Sequence, residues 1–307
     1  MKRSKYAGDV QGIDKRPERF PLLVSYAYVR TMDVEMRDWL LFRAKGEGYD
    51  VLLDSGAFSA ANAGHIIPLD EYMDFLHEHR SSFFRYLLLD VLGDPIATKK
   101  NHQVMIQNDL QPIPVHVLGD DQKRMDELFD LSDLVALGGI RRPGRGPGSK
   151  NYIRKKMEWA KGRPVHWLGY TNIDMVSALT PFSCDCSSWT YGDQYGWLQV
   201  YMGQGKWWRR LRKDRKKPFP ISVMARLQEL GVQNLYRLND ETQWRNIKGR
   251  GSIQMQCNVR SWVEYIGDLR QELGTRLFLA STLIDGPTVE LKSAWSNYKE
   301  ASHVIND

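Results

Sequence analysis

Seven short apolar runs, each followed by turn residues and then by a segment of helical period, limit most strongly what this chain can fold into. The runs are Pro21 to Tyr28, Asp50 to Phe58, Tyr86 to Leu92, Pro112 to Leu118, Leu134 to Ile140, Pro164 to Gly169 and Phe182 to Cys186. Between them, Tyr72, Phe75 and Leu76 share one helical face, as do Met125, Leu128 and Phe129, and then Ile153, Met157 and Ala160. Strands alternating with helices argue for an α/β fold with a parallel sheet. For seven or eight such units a closed TIM-type (β/α)8 barrel is the economical solution, and 307 residues suffice for one. An open doubly wound sheet has the same periodicity and stays open as an alternative.

Beyond Cys186 the pattern loosens. Gly192 to Lys217 is aromatic and basic, Pro218-Phe219-Pro220 punctuates it, and Ile221 to Leu230 reads as a helix. Val259, Trp262, Val263, Ile266, Leu269 and Leu273 mark a long amphipathic helix, with Asn258 as its N-cap and Gly274 as its stop. Phe278 to Leu283 reads as a last strand or a return segment. The expectation is one barrel domain over 1–307, carrying an insertion or nucleic-acid-binding elaboration over 192–257.

Hydrophobic residues at 42% and charged residues at 26% supply a sizeable core and exclude a disordered chain. The net charge of +6 is unevenly placed. Lys206 to Lys217 holds eight basic residues and one acid, with Trp207 and Trp208 among them, and Arg141 to Lys156 holds seven basic residues and no acid. Three cysteines without paired spacing (Cys184, Cys186, Cys257) argue against a disulfide scaffold and fit a reducing compartment. The basic N-terminal stretch lacks the apolar run of a signal peptide, and no run approaches a membrane span. A soluble cytoplasmic protein is expected, in the host cytoplasm if the gene is a phage's.

In a parallel barrel the active site forms at the C-terminal ends of the strands. Asp54, Asp90 with Asp94, Gly138-Gly139, Gly169-Tyr170 and Asp185 all fall at such ends. Converging carboxylates are what glycosyl transfer through a covalent intermediate needs, one as nucleophile and one to move a proton. Each residue also has a plainer reading. A strand-end Asp is often a loop cap, Asp94 before Pro95 looks like a helix start, and a glycine pair can simply end a strand.

In order, DSGAFS (54–59), LLLDVLGDP (87–95), VALGGI (135–140), HWLGYT (166–171) and SCDCSSW (183–189) resemble the strand-end motifs of the tRNA-guanine transglycosylase superfamily. The likeness is nearest to the shorter DpdA-type relatives of phages and bacterial islands, which place 7-deazaguanine bases in DNA. It covers about Val51 to Trp189. The resemblance implies Asp185 as the nucleophile on the deoxyribose C1′ and Asp54 as the general acid/base at the purine ring nitrogen. It implies Ser55 and Phe58 as holding the base, Phe58 by stacking, and Asp90 as reading the guanine-like edge, whose N–H donors suit a carboxylate. Gly138, Gly139, Leu168 and Gly169 would complete the pocket, with His116 as a weaker candidate.

Departures from the superfamily pattern also inform. The tRNA enzymes' C-terminal zinc site of three cysteines and a histidine has no counterpart here, so no metal or other cofactor is expected. Nor is there length for the extra RNA-binding domains of archaeal relatives. DNA and a 7-deazaguanine base are therefore the expected partners, with no membrane, and a homo-oligomer by analogy with related barrels. Lys206, Arg209, Arg210 and Arg212 would neutralise phosphates, and Trp207 or Trp208 would stack on an unpaired base. The same segment also reads as a solvated helix face with one Trp in the core. Arg141, Arg142 and Arg145 form a phosphate clamp beside the pocket or a plain surface loop. Rival readings are the same exchange on tRNA, a catalytically inactive nucleic-acid-binding barrel, and a glycoside hydrolase.

Overall fold

The computed structural model describes residues 19–140, 148–190, 196–211, 214, 217–240, 253–281, 291 and 294. The chain divides into two compact units, one of Met1–Cys186 with Leu273–Thr282 and one of Ser187–Glu272 with Leu283–Asp307. The segment expected as an insertion, 192–257, falls within the second.

In the first unit the apolar runs form β1 (Phe20–Ser25), β2 (Tyr49–Asp54), β3 (Arg85–Tyr86), β4 (Val115–His116), β5 (Val135–Leu137), β6 (Val165–Trp167) and β7 (Ser183–Cys186). Two further strands, β8 and β9, belong to the second unit, and β10 (Arg276–Ser281) returns to the first. The eight strands of the first unit make one curled sheet in the order β3-β2-β1-β10-β7-β6-β5-β4, and every pairing is parallel. A parallel bridge between Leu87 and Ile113 links the β3 end of this order to the β4 end. The arrangement is consistent with a TIM-like barrel, with β10 in the place of the eighth strand.

The strands are shorter than the apolar runs for local reasons. β2 stops at Asp54 because Gly56 turns the chain at φ +83° into the helix Ala57–Asn62. A Cβ at Gly56 would lie 2.6 Å from the Ala27 nitrogen, so only glycine fits this close approach to the chain leaving β1. After β3 the run ends at Asp94, which caps the helix Pro95–Gln107 by accepting from Ala97 N at 2.9 Å, the helix-start role its sequence context indicates.

Alternation assigns the two faces of the sheet. Trp167 of β6 donates its indole N–H to Met157 Sδ, and His116 of β4 packs edge-on to Trp159, both on the helix Gly148–Ala160. That face meets the helical layer. The opposite face is the interior, because residues of strands that are not neighbours meet there. Arg276 of β10 pairs with Asp50 of β2, and Phe278 of β10 stacks on Phe84 beside β3. Arg276 and Asp50 are both buried, and Arg19 adds a second guanidinium to Asp50 at 2.5 Å. The pair therefore sits at the N-terminal end of the interior as a hydrogen-bonded ionic plug.

In the second unit β8 (Trp197–Tyr201) and β9 (Trp207–Leu211) form an antiparallel hairpin. It packs with the helices Ile221–Glu229 and Ile253–Leu273 around Leu198, Val200, Val223, Leu227, Val232, Leu238, Ile253 and Cys257. The long helix begins at Ile253, six residues before the Val259 start expected, which corrects the role of Asn258. Instead of capping, its buried amide accepts from Gln199 N at 2.7 Å and donates to the Trp197 carbonyl at 3.0 Å, tying the helix to β8. The stop at Gly274 holds, with φ +70°. Cys184, Cys186 and Cys257 are buried.

Candidate active site

Asp54 ends β2, Asp90 lies four residues past β3, and Asp185 is the third residue of β7. By register and alternation Asp54 and Asp185 point to the interior face, at the C-terminal ends of their strands. Their charges interact. Burial above all, then the charges of Asp90 and Asp185, push the Asp54 carboxyl up from 3.8 to about 7. Asp54 keeps part of its own surface exposed although protein atoms crowd around it. The Gly56 N–H donates to its Oδ2 at 3.1 Å and opposes the shift. The buried Ser25 hydroxyl, opposite Asp54 in the β1–β2 register, meets no partner at full hydrogen-bond geometry but is close enough to favour the ionised form weakly.

Asp90 is raised to about 6, again chiefly by burial, against a hydrogen bond from its own backbone N–H and one from the Ser55 hydroxyl. Ser55 is 1% exposed and links its own motif to Asp90 through that hydrogen bond. Phe58, on the short helix after β2, has half its ring exposed and free to meet a planar ligand.

Asp185 is buried and held through one oxygen. The Gly169 N–H donates to Oδ1 at 2.8 Å, and His166 Nε2 lies 3.3 Å from the same atom. Gly169 can present its N–H because it turns at φ +64° directly after β6. Leu168 and Gly138 follow β6 and β5 on the interior side by alternation, the Leu168 N–H donating to the Leu137 carbonyl at 3.2 Å. The Gly138 carbonyl accepts from the Tyr152 hydroxyl at 3.1 Å, and Gly139 turns at φ +70° against Leu118.

His116 is the residue the structure removes from this group. In the strand register it lies level with Leu137, Trp167 and Cys184, on the helical face. It is fully buried, its Nε2 against the Asp121 carbonyl at 3.0 Å, and burial lowers it to about 4. It is a core histidine of the β4–helix interface. Conversely, His166 opens the HWLGYT motif without a role that the sequence assigns it, yet it shares the Asp185 face and precedes Gly169, the other partner of Asp185, by three residues. Its place on alternate residues of a strand-end motif is the one signal that points to it.

Over Trp207–Leu211 the basic aromatic segment of the second unit is a strand, not a helix. Trp207 packs against Tyr201, Trp262 and Tyr265 at 4.8–5.2 Å between ring centroids. Trp208 packs on Phe219, and the Arg210 guanidinium lies over both rings while donating to the Lys217 and Pro218 carbonyls. Both tryptophans and Arg210 therefore serve the unit's own packing rather than standing free to stack on bases. Lys206 and Arg209 are exposed. Arg141, Arg142, Arg145 and Arg212 lie outside the described residues.

Among the described residues no group of three or more His, Cys, Asp or Glu side chains could hold a metal ion, and no helix is long and apolar enough to cross a membrane. No protein-family model matches the chain, and no curated protein matches it.

Proposed function

We propose that this chain is a guanine transglycosylase of DNA, which exchanges guanine for a 7-deazaguanine such as 7-cyano-7-deazaguanine on a (β/α)8 barrel interrupted by a basic module. The observation that carries the reading is the meeting of Asp54 and Asp185, 131 positions apart, on one interior face with their charges coupled.

The chemistry follows from their different settings. Asp185, with Oδ1 anchored, attacks C1′ of a deoxyguanosine through its other oxygen. The C1′–N9 bond breaks and its electron pair goes to the purine, which takes a proton from the Asp54 carboxyl and leaves as neutral guanine. Asp54, now ionised, removes the ring N–H proton of the incoming deazaguanine. That nitrogen attacks C1′, the glycosyl–Asp185 bond breaks, and both carboxyls return to their starting states. A group that must give and then take a proton works best with its midpoint near the working pH, and a value of about 7 meets that need. Asp90, held by the Ser55 hydroxyl, supplies acceptors for the N–H donors of the guanine-like edge.

A base stacked in a duplex shields C1′ from in-line attack, so the target must be flipped out or single-stranded. Lys206 and Arg209 offer exposed positive charge for the backbone. The test is exchange of labelled guanine into double-stranded DNA, single-stranded DNA and tRNA by the purified protein. Label entering DNA supports the proposal. Label entering tRNA alone assigns the same chemistry to RNA, and binding without exchange on any of them defeats the enzymatic reading.

A further inference from the structure

We infer that His166 is the positioning residue of this site, and that Oδ2 of Asp185 is the attacking atom. The inference rests on the reading of Asp185 as nucleophile and adds what aims it.

Donors and acceptors fix the direction of the hydrogen bonds. His166 is wholly buried on the interior face of β6, between two residues of β7. Its Nδ1 is 2.8 Å from Ser183 Oγ and its Nε2 is 3.3 Å from Asp185 Oδ1. An ionised carboxylate can only accept, so the Nε2 position must carry the proton. Ser183, which can donate or accept, then gives its hydroxyl proton to the Nδ1 lone pair. The chain runs in one direction, Ser183 O–H to His166 Nδ1, His166 Nε2–H to Asp185 Oδ1.

The Gly169 N–H reaches that same Oδ1 at 2.8 Å. Two N–H donors thus converge on one oxygen from β6 and the turn after it. They fix the plane of the carboxylate and reduce the charge on Oδ1, leaving Oδ2 the more nucleophilic atom. Phe278 of β10 packs edge-on to the ring at 6.1 Å between centroids. Among the described residues, the other charged groups facing this interior include Asp54 at the end of β2, Asp90 beyond β3, and Arg276, Asp50 and Arg19 at the base, where Arg276 lies over the Phe278 ring.

Three variants and one spectrum test this. His166→Phe keeps an aromatic ring of similar size and removes the donor. His166→Gln keeps a donor near the Nε2 position, and Ser183→Ala removes only the residue that fixes the tautomer. With the full-length protein and a DNA substrate, His166→Phe is expected to lower kcat about 10- to 100-fold, the loss typical of a hydrogen bond to a charged group, with KM little changed. His166→Gln should recover most of kcat. An unchanged kcat in His166→Phe overturns the inference, as does a Gln variant no better than Phe.

Long-range 15N–1H correlation of the wild-type histidines supplies a readout independent of turnover and of how the variants fold. A proton on Nε2 of His166, lost or redistributed in Ser183→Ala, is expected. A bare Nε2 refutes the proposal. A wild type that exchanges no base fails the proposed function instead, and in that case the nitrogen assignment still decides whether His166 holds Asp185.

Discussion

Replacing Asp54 by asparagine should stabilise this protein, and should do so increasingly as the pH rises. A carboxyl whose value is higher folded than unfolded binds its proton more tightly in the folded state, so its contribution is full at low pH and is lost as the pH climbs through the folded value. For Asp54 the window runs from 3.8 to about 7. At about 1.4 kcal/mol per unit over a gap of about 3 units, the ionised side chain costs about 4 kcal/mol well above pH 7. About 1.5 kcal/mol of this is already present at pH 5. Asparagine keeps the shape and can still accept from the Gly56 N–H, but carries no charge toward Asp90 or Asp185. Urea unfolding of the wild type and Asp54→Asn, followed by tryptophan fluorescence at pH 5 and 8.5, should show the variant's advantage growing by about 2.5 kcal/mol over that range. An advantage that is absent, or that shrinks toward alkaline pH, would refute the claim that Asp54 is a desolvated, charge-crowded acid.

Gly56→Ala should lose at least about 2 kcal/mol and most activity, since a Cβ would press on the Ala27 backbone at a φ only glycine adopts readily, and thermal unfolding checks it. Arg276→Met should destabilise by about 1.5–3 kcal/mol, the loss of one charge-assisted hydrogen bond to the buried Asp50 while Arg19 still pairs with it, measured by urea unfolding. His116→Leu should change the thermal midpoint while leaving base exchange within about twofold, because its ring faces the helical layer. Lys206→Ala with Arg209→Ala should reduce the salt dependence of DNA binding by about one unit of slope for each phosphate no longer neutralised, read from affinities over a range of salt.

The parallel sheet is legible in the sequence because its strands bury both faces and therefore read as short continuous apolar runs between helical periods. The ends of those strands are less legible. β2 can be read to Phe58, since nothing in the composition of DSGAF says that Gly56 turns at positive φ against Ala27. The eighth strand carries two readings, because it follows a whole second unit and its neighbours β1 and β7 lie far away in sequence. Motif position points to the aspartates, and the structure brings Asp54, Asp90 and Asp185 together. Which way a side chain points within a two-residue strand is a matter of register, and register is not written in a single run of sequence. His116 and His166 show this directly, since both sit in apolar strand-end motifs and only the pairing pattern sends one to the helices and the other to Asp185. The basic segment 206–217 misleads for another reason. Trp207, Trp208 and Arg210 pack within the hairpin's own unit while Arg209 stays exposed, and charge alone does not distinguish a guanidinium lying on Phe219 from one awaiting a phosphate.

The most direct measurement is to trap the protein on a DNA substrate, digest it, and locate the sugar-bearing peptide by mass spectrometry. The account predicts a deoxyribosyl adduct on the carboxylate of Asp185, absent in Asp185→Ala. Attachment at Asp54 or Asp90, or base exchange that proceeds undiminished in Asp185→Ala, would contradict it.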